Sequence, residues 1–297
     1  MNSLPVSTRQ VRQHFSSHAS EYDCYAQVQK RVVAGLMARL PADLLPYRMA
    51  LDLGTGTGDL ARQLRERAPE LPLVVADIAH AMTCAATARV TQVAAVDADA
   101  EALPLRSESI GLILSASMYQ WVNDLPQAFT EVQRVLQPGG LFAFALFGAG
   151  TLIELRTAHT AALAEEGHAT ITHMQRFPER ESVAAALQAA GLSAQLESLD
   201  EQEEHPDVPH LLRSLKKIGA QNAASNRPAG LSGRKTIERM MAIYKERFGC
   251  NGIIPATYQV IYGLARKEQL EPQNNELAEN PLLVGHDYYP RISLTAS

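Results

Sequence analysis

Asp52-Leu53-Gly54-Thr55-Gly56-Thr57-Gly58 follows an apolar run, Met49 to Leu53, and leads into a helical stretch that continues to about Arg67. Strand, glycine-rich turn, helix is the local signature of the first crossover in an open α/β sheet, where ligands bind at the carboxyl ends of the strands. Glycine in such a turn admits φ > 0 and lets a ligand approach the backbone closely. Leu73-Val74-Val75-Ala76 reads as a second strand closed by Asp77, whose carboxylate is placed to accept hydrogen bonds from a ribose diol. A dinucleotide site usually reads GxGxxG, with the pyrophosphate on the helix N-terminus. Here the spacing is GxGxG and the next residue is Asp59. Asp52 and Asp59 flank the loop, would repel a pyrophosphate, and suit a cationic head such as the sulfonium and ammonium of S-adenosylmethionine. A nicotinamide dinucleotide and an unliganded glycine turn are the readings set against it.

Outward from this turn the same rhythm repeats. Val28, Val32, Leu36 and Leu40 recur at helical spacing and predict a helix over Tyr22 to Leu40, ahead of the first strand. Val93 to Val96 and Ile110 to Leu114 predict the third and fourth strands. A helix from Pro126 to Leu136 stops at Pro138-Gly139-Gly140, and Leu141 to Phe147 predicts the fifth strand. Alternating strands and helices imply parallel strands joined by right-handed crossovers, a doubly wound sheet. Beyond Gly148, helices are expected over Thr151 to Glu166 and Ser182 to Ala190, and strands over Leu192 to Leu199 and Tyr258 to Leu264. The expected organisation is a helical cap over 1–46, an α/β core over 47–200, a basic inserted lid over 201–256 and a final core strand over 257–267. A polar tail over 268–297 is expected to be partly disordered.

The 297 residues are 46% apolar and 20% charged, enough for a full core, and carry a net charge of −5, which argues against a protein that coats nucleic acid. Cys24, Cys84 and Cys250 form neither a disulfide framework nor a CxxC metal site. No apolar run approaches the roughly 18 residues that span a bilayer, and Met1 to His14 lacks the apolar centre of a signal peptide. A cytoplasmic protein with no metal and no membrane partner is expected. His168/His173 and His205/His210 are each five apart, which does not put two ligands on one helix face, so solvated surface histidines are expected. Charge is unevenly spread: Leu211 to Phe248 holds nine Lys/Arg against Glu238 and Glu246, a net of +7 that leaves −12 on the rest of the chain. A basic insert on an acidic body suggests an acidic partner.

The ordered motifs over residues 48–147 resemble the class I S-adenosylmethionine-dependent methyltransferases. Asp52 to Gly58 is similar to their first motif and Asp77 to their ribose-binding acid. Met82 matches the apolar residue beside adenine, Asp99-Ala100 the segment that hydrogen-bonds the adenine amino group, and Arg134 to Gly140 the turn into the fifth strand. The resemblance implies a Rossmann-like, seven-stranded, mostly parallel sheet with a reversed last strand. It also implies a cofactor held by Asp52, Gly54, Gly56, Gly58, Asp77, Met82, Asp99, Ala100 and Ser115. The loop after the fourth strand, Ser115 to Trp121, lacks the Asn/Asp-Pro-Pro-Tyr/Phe signature of enzymes that methylate nucleic-acid bases.

Further stretches resemble one subfamily, the malonyl-acyl-carrier-protein O-methyltransferases of biotin synthesis. These are Phe15 to Gln29, Gln120-Trp121, Gly148 to Arg156, Leu211 to Ala220, Arg227 to Arg234 and Tyr258 to Gly263, so the likeness covers about residues 10–266. Thr55 stands where many relatives have Cys. The resemblance implies methylation of the free malonyl carboxylate on acyl-carrier protein, whose acidity gives the basic insert a partner. A carboxylate is already ionised at neutral pH, so no general base is expected. It does need a cation when it leaves water; Arg156, just past the fifth strand, is the first candidate, with Arg176, Lys217 and Arg227 behind it. Tyr25 and Trp121 are expected to wall the pocket, and Arg213 and Lys216 to meet the carrier. A methyltransferase for a quinone or free organic acid, and a cofactor-binding regulator without activity, stand as alternatives.

Overall fold

The computed structural model describes residues 7–19, 21–167, 177–218 and 233–269. Its core is a seven-stranded sheet in the order β3-β2-β1-β4-β5-β7-β6. The strands are β1 (Ala50–Leu53), β2 (Leu73–Asp77), β3 (Val93–Asp97), β4 (Ile110–Ala116), β5 (Leu136–Phe147), β6 (Leu192–His205) and β7 (Ile254–Lys267). β7 runs antiparallel to both neighbours, while the β1–β2, β1–β4, β2–β3 and β4–β5 pairs are parallel. The expected doubly wound sheet with a reversed last strand is therefore present.

The central strands are buried on both faces, which is why β4 reads as an almost unbroken apolar run. On one face Leu36, Leu64, Tyr244 and Tyr262 join a core against α3 (Gln27–Arg39), α4 (Asp59–Arg67), α7 (Ile153–Glu165) and α10 (Arg234–Phe248). On the other, Phe142, Phe144 and Tyr119 join a core with Phe129 of α6 (Leu125–Val135) and Leu187 of α8 (Arg180–Ala189). Phe142 and Phe144 stack with ring centroids 4.7 Å apart. Each such buried side chain contributes roughly 1.5–3 kcal/mol. Among the described residues no helix is long and apolar enough to cross a membrane.

Several expected elements change their limits. The helix expected over residues 22–40 is two, α2 (Tyr22–Tyr25) and α3, broken at Ala26, where φ −81° and ψ 47° leave the helical region. The Asp23 carbonyl is taken up by Lys30 Nζ at 2.7 Å. Ahead of them, α1 (Thr8–His18) starts at Ser7, whose hydroxyl accepts from the Gln10 amide. β5 begins at Leu136 and carries Pro138-Gly139-Gly140 within it, so the proline and glycines mark an irregular strand start rather than a loop. β6 and β7 pair from Leu192↔Lys267 to His205↔Ile254, extending far past the expected ends. Residues 201–205 therefore belong to β6 rather than to the insert. The β6 extension, Asp200 to His205, holds no apolar residue to advertise a strand, and the antiparallel pairing with β7 sustains it. The insert's described helices are α9 (Val208–Lys217) and α10. The tail beyond residue 269 lies outside the described residues.

Candidate functional site

The glycine turn joins β1 to α4 in the middle of the sheet. Its three glycines have φ of 74°, 53° and 84° at positions 54, 56 and 58, a region costly for L side chains. The Gly54 and Thr55 amides both donate to the Ala76 carbonyl, at 2.8 and 3.0 Å, so the turn folds back over the end of β2. Behind it, Asp52 Oδ2 accepts from Thr55 Oγ1 at 2.7 Å and from the Ala61 amide at 3.1 Å. Asp77 Oδ2 accepts from the Gly56 amide at 3.0 Å and its Oδ1 from the Ala79 amide at 2.9 Å.

Two adjoining cavities open at this turn. The larger, about 780 Å³ counted to its mouth, is walled by Gly54, Gly56, Asp77, Met82, Asp99 and Ala100 on the core side. Thr8, Val11, Phe15 and Tyr22 of the N-terminal helices face them. The smaller, about 460 Å³, holds Asp52, Thr57 and Asp59 of the turn together with Tyr22, Gln29 and Lys30. Tyr22, Gly54, Gly56, Ala116 and Ser117 line both. Of the Lys and Arg among the described residues, Lys30 alone lines either chamber.

The electrostatics follow from burial. Asp52 is 1% exposed, and desolvation pushes its carboxyl up to about 7. Asp77 is pushed up to about 6 by the same cause, opposed by its backbone bonds to Ala79, Gly56 and Ile78. Asp52 Oδ1 is buried with no hydrogen-bond partner. An orphaned carboxylate oxygen is costly unless a cation or donor meets it. A Cβ built on Gly56 would meet no atom within 4 Å, so the turn leaves an open cradle at that residue. An unmet anionic oxygen and an open cradle fit a ligand that combines a nucleoside with a cationic head.

Not every nominated residue reaches the cavities. Asp52, Gly54, Gly56, Asp77, Met82, Asp99 and Ala100 do. Ser115 does not: it is fully buried, and its hydroxyl donates to the Leu53 carbonyl at 2.7 Å, tying β4 to β1. Gly58 serves packing, since a Cβ there would fall 3.0 Å from Ala86 Cα of α5 (His80–Arg89).

Of the acceptor-side nominations, Trp121 lines the larger cavity, its ring edge-on to Phe15 at 5.5 Å. Tyr25 is 39% exposed and lines neither cavity, with Lys217 Nζ 5.9 Å from its ring centroid. Arg156 also lines neither, because its guanidinium turns back to the Ala149 carbonyl, and burial lowers its pKa. Arg213 and Lys216 are exposed on α9, whereas Lys217 pairs with Glu21 at 2.5 Å. Arg176 and Arg227 lie outside the described residues, as do His168 and His173.

His205 departs from the expected surface histidine. It is 2% exposed, and its Nδ1 lies 3.0 Å from Nδ1 of His210 across the β6–α9 turn. Sequence reasoning missed Tyr22, Lys30 and Ser117. Tyr22 and Lys30 depend on the break at Ala26, which carries no proline or glycine signal, and Ser117 on a strand that ends two residues later than its apolar run.

A methyltransferase-domain family matches residues 51–144 of the chain. The chain is similar to a malonyl-[acyl-carrier protein] O-methyltransferase of Geobacter sulfurreducens, 44% identical over 266 residues that cover 88% of this chain and 100% of the relative. It is also similar to one of Methylovorus sp., 38% identical over 274 residues, 89% of this chain and 90% of that protein. Among solved structures, the YcgJ protein of Bacillus subtilis superposes with a TM-score of 0.54 at 19% identity, covering 80% of this chain and 98% of that one, a likeness of fold.

Proposed function

The chain belongs to the malonyl-[acyl-carrier protein] O-methyltransferase family, and from that premise we propose that it methylates the free carboxylate of a malonyl group carried on acyl-carrier protein, at an early step of biotin synthesis. The observation that carries this reading is the division of the site into two unlike chambers. One is a largely apolar cleft with Asp77 at its edge, suited to a nucleoside. The other is lined by both the unmet Asp52 oxygen and Lys30, suited to the ammonium and carboxylate of an amino acid. S-adenosylmethionine has both halves, and when bound it supplies an electrophilic methyl on sulfur.

The chain's own residues then bind, orient and exclude water. Asp77, beyond its backbone bonds to Gly56, Ile78 and Ala79, retains acceptor capacity for a ribose hydroxyl. Met82 and Ala100 pack the base, with Asp99 at its polar edge. Asp52 takes the ammonium and Lys30, with one of its three N–H groups on the Asp23 carbonyl, takes the aminoacyl carboxylate. Phe15, Tyr22 and Trp121 cover the cleft and keep water out.

No proton has to move. The acceptor carboxylate is ionised at neutral pH, and no His or Cys lines either chamber. The work is positioning and partial desolvation, and orientation alone can contribute up to about 7–11 kcal/mol. Arg213 and Lys216 leave their charge unpaired among the described residues, in contrast to Lys217, Arg234 and Arg239, which face Glu21, Glu238 and Glu165. The exposed pair on α9 therefore offers the acidic carrier its first electrostatic contact.

Intact-mass analysis of malonyl-acyl-carrier protein incubated with the protein and S-adenosylmethionine tests the reading. A gain of one methylene mass, absent with the acetyl form, is expected. No gain in a protein that binds S-adenosylhomocysteine would favour a free-acid acceptor or a cofactor-binding regulator.

A further inference from the structure

Ser117 sits at the exit of β4 with φ of 57°, a left-handed conformation that a non-glycine residue adopts at a cost. Its backbone is held from both sides. The Ser117 amide donates to Ala145 of β5 at 2.8 Å, and its carbonyl accepts from Gln120 Nε2 at 2.6 Å. Gln120 is itself buried, and its Oε1 faces the Phe147 amide at 3.4 Å. The next residue, Met118, packs so closely on the glycine turn that a Cβ on Gly54 would lie 2.3 Å from its Cγ. The strained residue is thus clamped between β5, Gln120 and the turn.

This clamp brings the Ser117 side chain to the boundary of the two chambers, where its hydroxyl is buried and has no hydrogen-bond partner among the described residues. Of the five residues lining both chambers, the Gly54 and Gly56 amides are committed to Ala76 and Asp77. Tyr22 and Ser117 supply the hydroxyls there, and Ser117 is the one anchored to the sheet, so its position does not depend on how the N-terminal helices close. The boundary between a nucleoside chamber and an amino-acid chamber is where the atom joining the two halves of the cofactor must lie, and an acceptor has to reach that point. An acceptor carboxylate arriving there loses water and needs a donor.

Resting on the reading above, we infer that Ser117 is a substrate-contacting, specificity-determining residue: its hydroxyl donates to one oxygen of the acceptor carboxylate and leaves the other free to react. A neutral donor suits this place. Guanidinium or ammonium at the reacting oxygen would hold its lone pair more tightly, and no Lys or Arg lines the shared wall. An acetyl group has no distal carboxylate to accept this bond.

The test compares the wild type with Ser117→Ala and Ser117→Gly. Ser117→Ala removes the hydroxyl and keeps the strain, whereas Ser117→Gly removes both. Both variants should bind S-adenosylhomocysteine within about twofold of the wild type by calorimetry, and methylate malonyl-acyl-carrier protein about 10- to 100-fold more slowly, the effect of one hydrogen bond to a charged group. Malonyl-acyl-carrier protein should also bind the S-adenosylhomocysteine-loaded variants more weakly, while the acetyl form binds them as it binds the wild type. Wild-type turnover in Ser117→Ala, or recovery in Ser117→Gly alone, would overturn the assignment. So would a parallel loss of S-adenosylhomocysteine affinity, which would give the hydroxyl to the cofactor. A wild-type protein that binds S-adenosylhomocysteine and leaves malonyl-acyl-carrier protein unmodified would instead overturn the reading on which the inference rests.

Discussion

Asp77 Oδ2 lies 3.0 Å from the Gly56 amide, a bond that spans the end of β2 and the crest of the turn after β1. The other oxygen holds the Ala79 amide at the entrance to α5. One carboxylate thus fixes three elements around the mouth of the cleft and keeps acceptor capacity for a ligand hydroxyl. Asp77→Asn must turn its NH₂ group toward one of these amides, donor against donor. We expect a stability loss of about 1–3 kcal/mol and a fall of at least about 10-fold in affinity for S-adenosylhomocysteine. 5′-Methylthioadenosine, which has the same ribose, should lose as much. Thermal melts and calorimetry check both, and a loss confined to one ligand would contradict the ribose role.

Gly54 and Gly56 separate folding from binding. A Cβ on Gly54 would collide with Met118, whereas one on Gly56 would project into open space. Gly54→Ala is expected to lower the melting temperature markedly. Gly56→Ala should cost only the left-handed φ penalty, roughly 1–2 kcal/mol, and still reduce S-adenosylhomocysteine affinity by more than about 10-fold, the equivalent of 1.4 kcal/mol. Equal effects on stability and affinity in the two variants would remove the basis for the cradle.

What was legible in the sequence was local chemistry. Three glycines between an apolar run and a helix can do little else, and Asp77 is set by the end of β2. The acceptor side was not legible, because it depends on where elements stop. Reading β4 as ending at Leu114 drew attention to Ser115, which alternation buries against Leu53, and away from Ser117, where the chain turns left-handed. Reading 22–40 as one straight helix favoured Tyr25, whereas the break at Ala26 rotates Tyr22 over the cleft. Arg156 stands at the expected place past β5, yet its guanidinium donates to the Ala149 carbonyl of its own loop. His205 and His210 meet because a strand and a helix converge there, a relation that five-residue spacing cannot reveal.

The buried acids predict a pH dependence. Burial raises Asp52 from 3.8 to about 7 and Asp77 from 3.8 to about 6, so the folded, ligand-free protein holds protons that the unfolded chain releases. Their contribution to stability is complete below the unfolded value and is lost as pH rises through the folded values. An ammonium beside Asp52 favours the ionised form instead. S-adenosylhomocysteine should therefore bind more tightly as pH rises from about 5.5 to about 7.5, with proton release on binding. Calorimetry in buffers of different protonation heat measures that release, which Asp52→Asn should diminish. Proton uptake, or none, would contradict the assignment of Asp52 to the ammonium.

The α9 cations should act on the carrier alone. Lys217 is already engaged with Glu21, so the informative double change is Arg213→Glu with Lys216→Glu. It should raise KM for malonyl-acyl-carrier protein by about 10-fold near physiological salt, with the difference shrinking as salt is added. S-adenosylhomocysteine affinity should stay within twofold. Normal KM in the doubly reversed variant would move the docking surface elsewhere.

Asp23 links the cap to the cofactor turn. Its Oδ1 accepts from Thr57 Oγ1 at 2.6 Å and its Oδ2 from Arg89 at 2.7 Å, while α2 holds Tyr22 over both chambers. The Arg89 pair is partly exposed and contributes at most about 1 kcal/mol. The shorter bond to Thr57 is charge-assisted and less open to water, so it contributes more, about 1.5–3 kcal/mol. Asp23→Ala removes both, and Thr57→Val removes only the second. If α2 must lift for a ligand to leave, both variants should release S-adenosylhomocysteine faster in stopped-flow experiments, Asp23→Ala by about 10-fold or more. Association should accelerate as well, so that Kd changes less than either rate. An unchanged release rate in both variants would show that the ligand leaves by a path that does not displace α2.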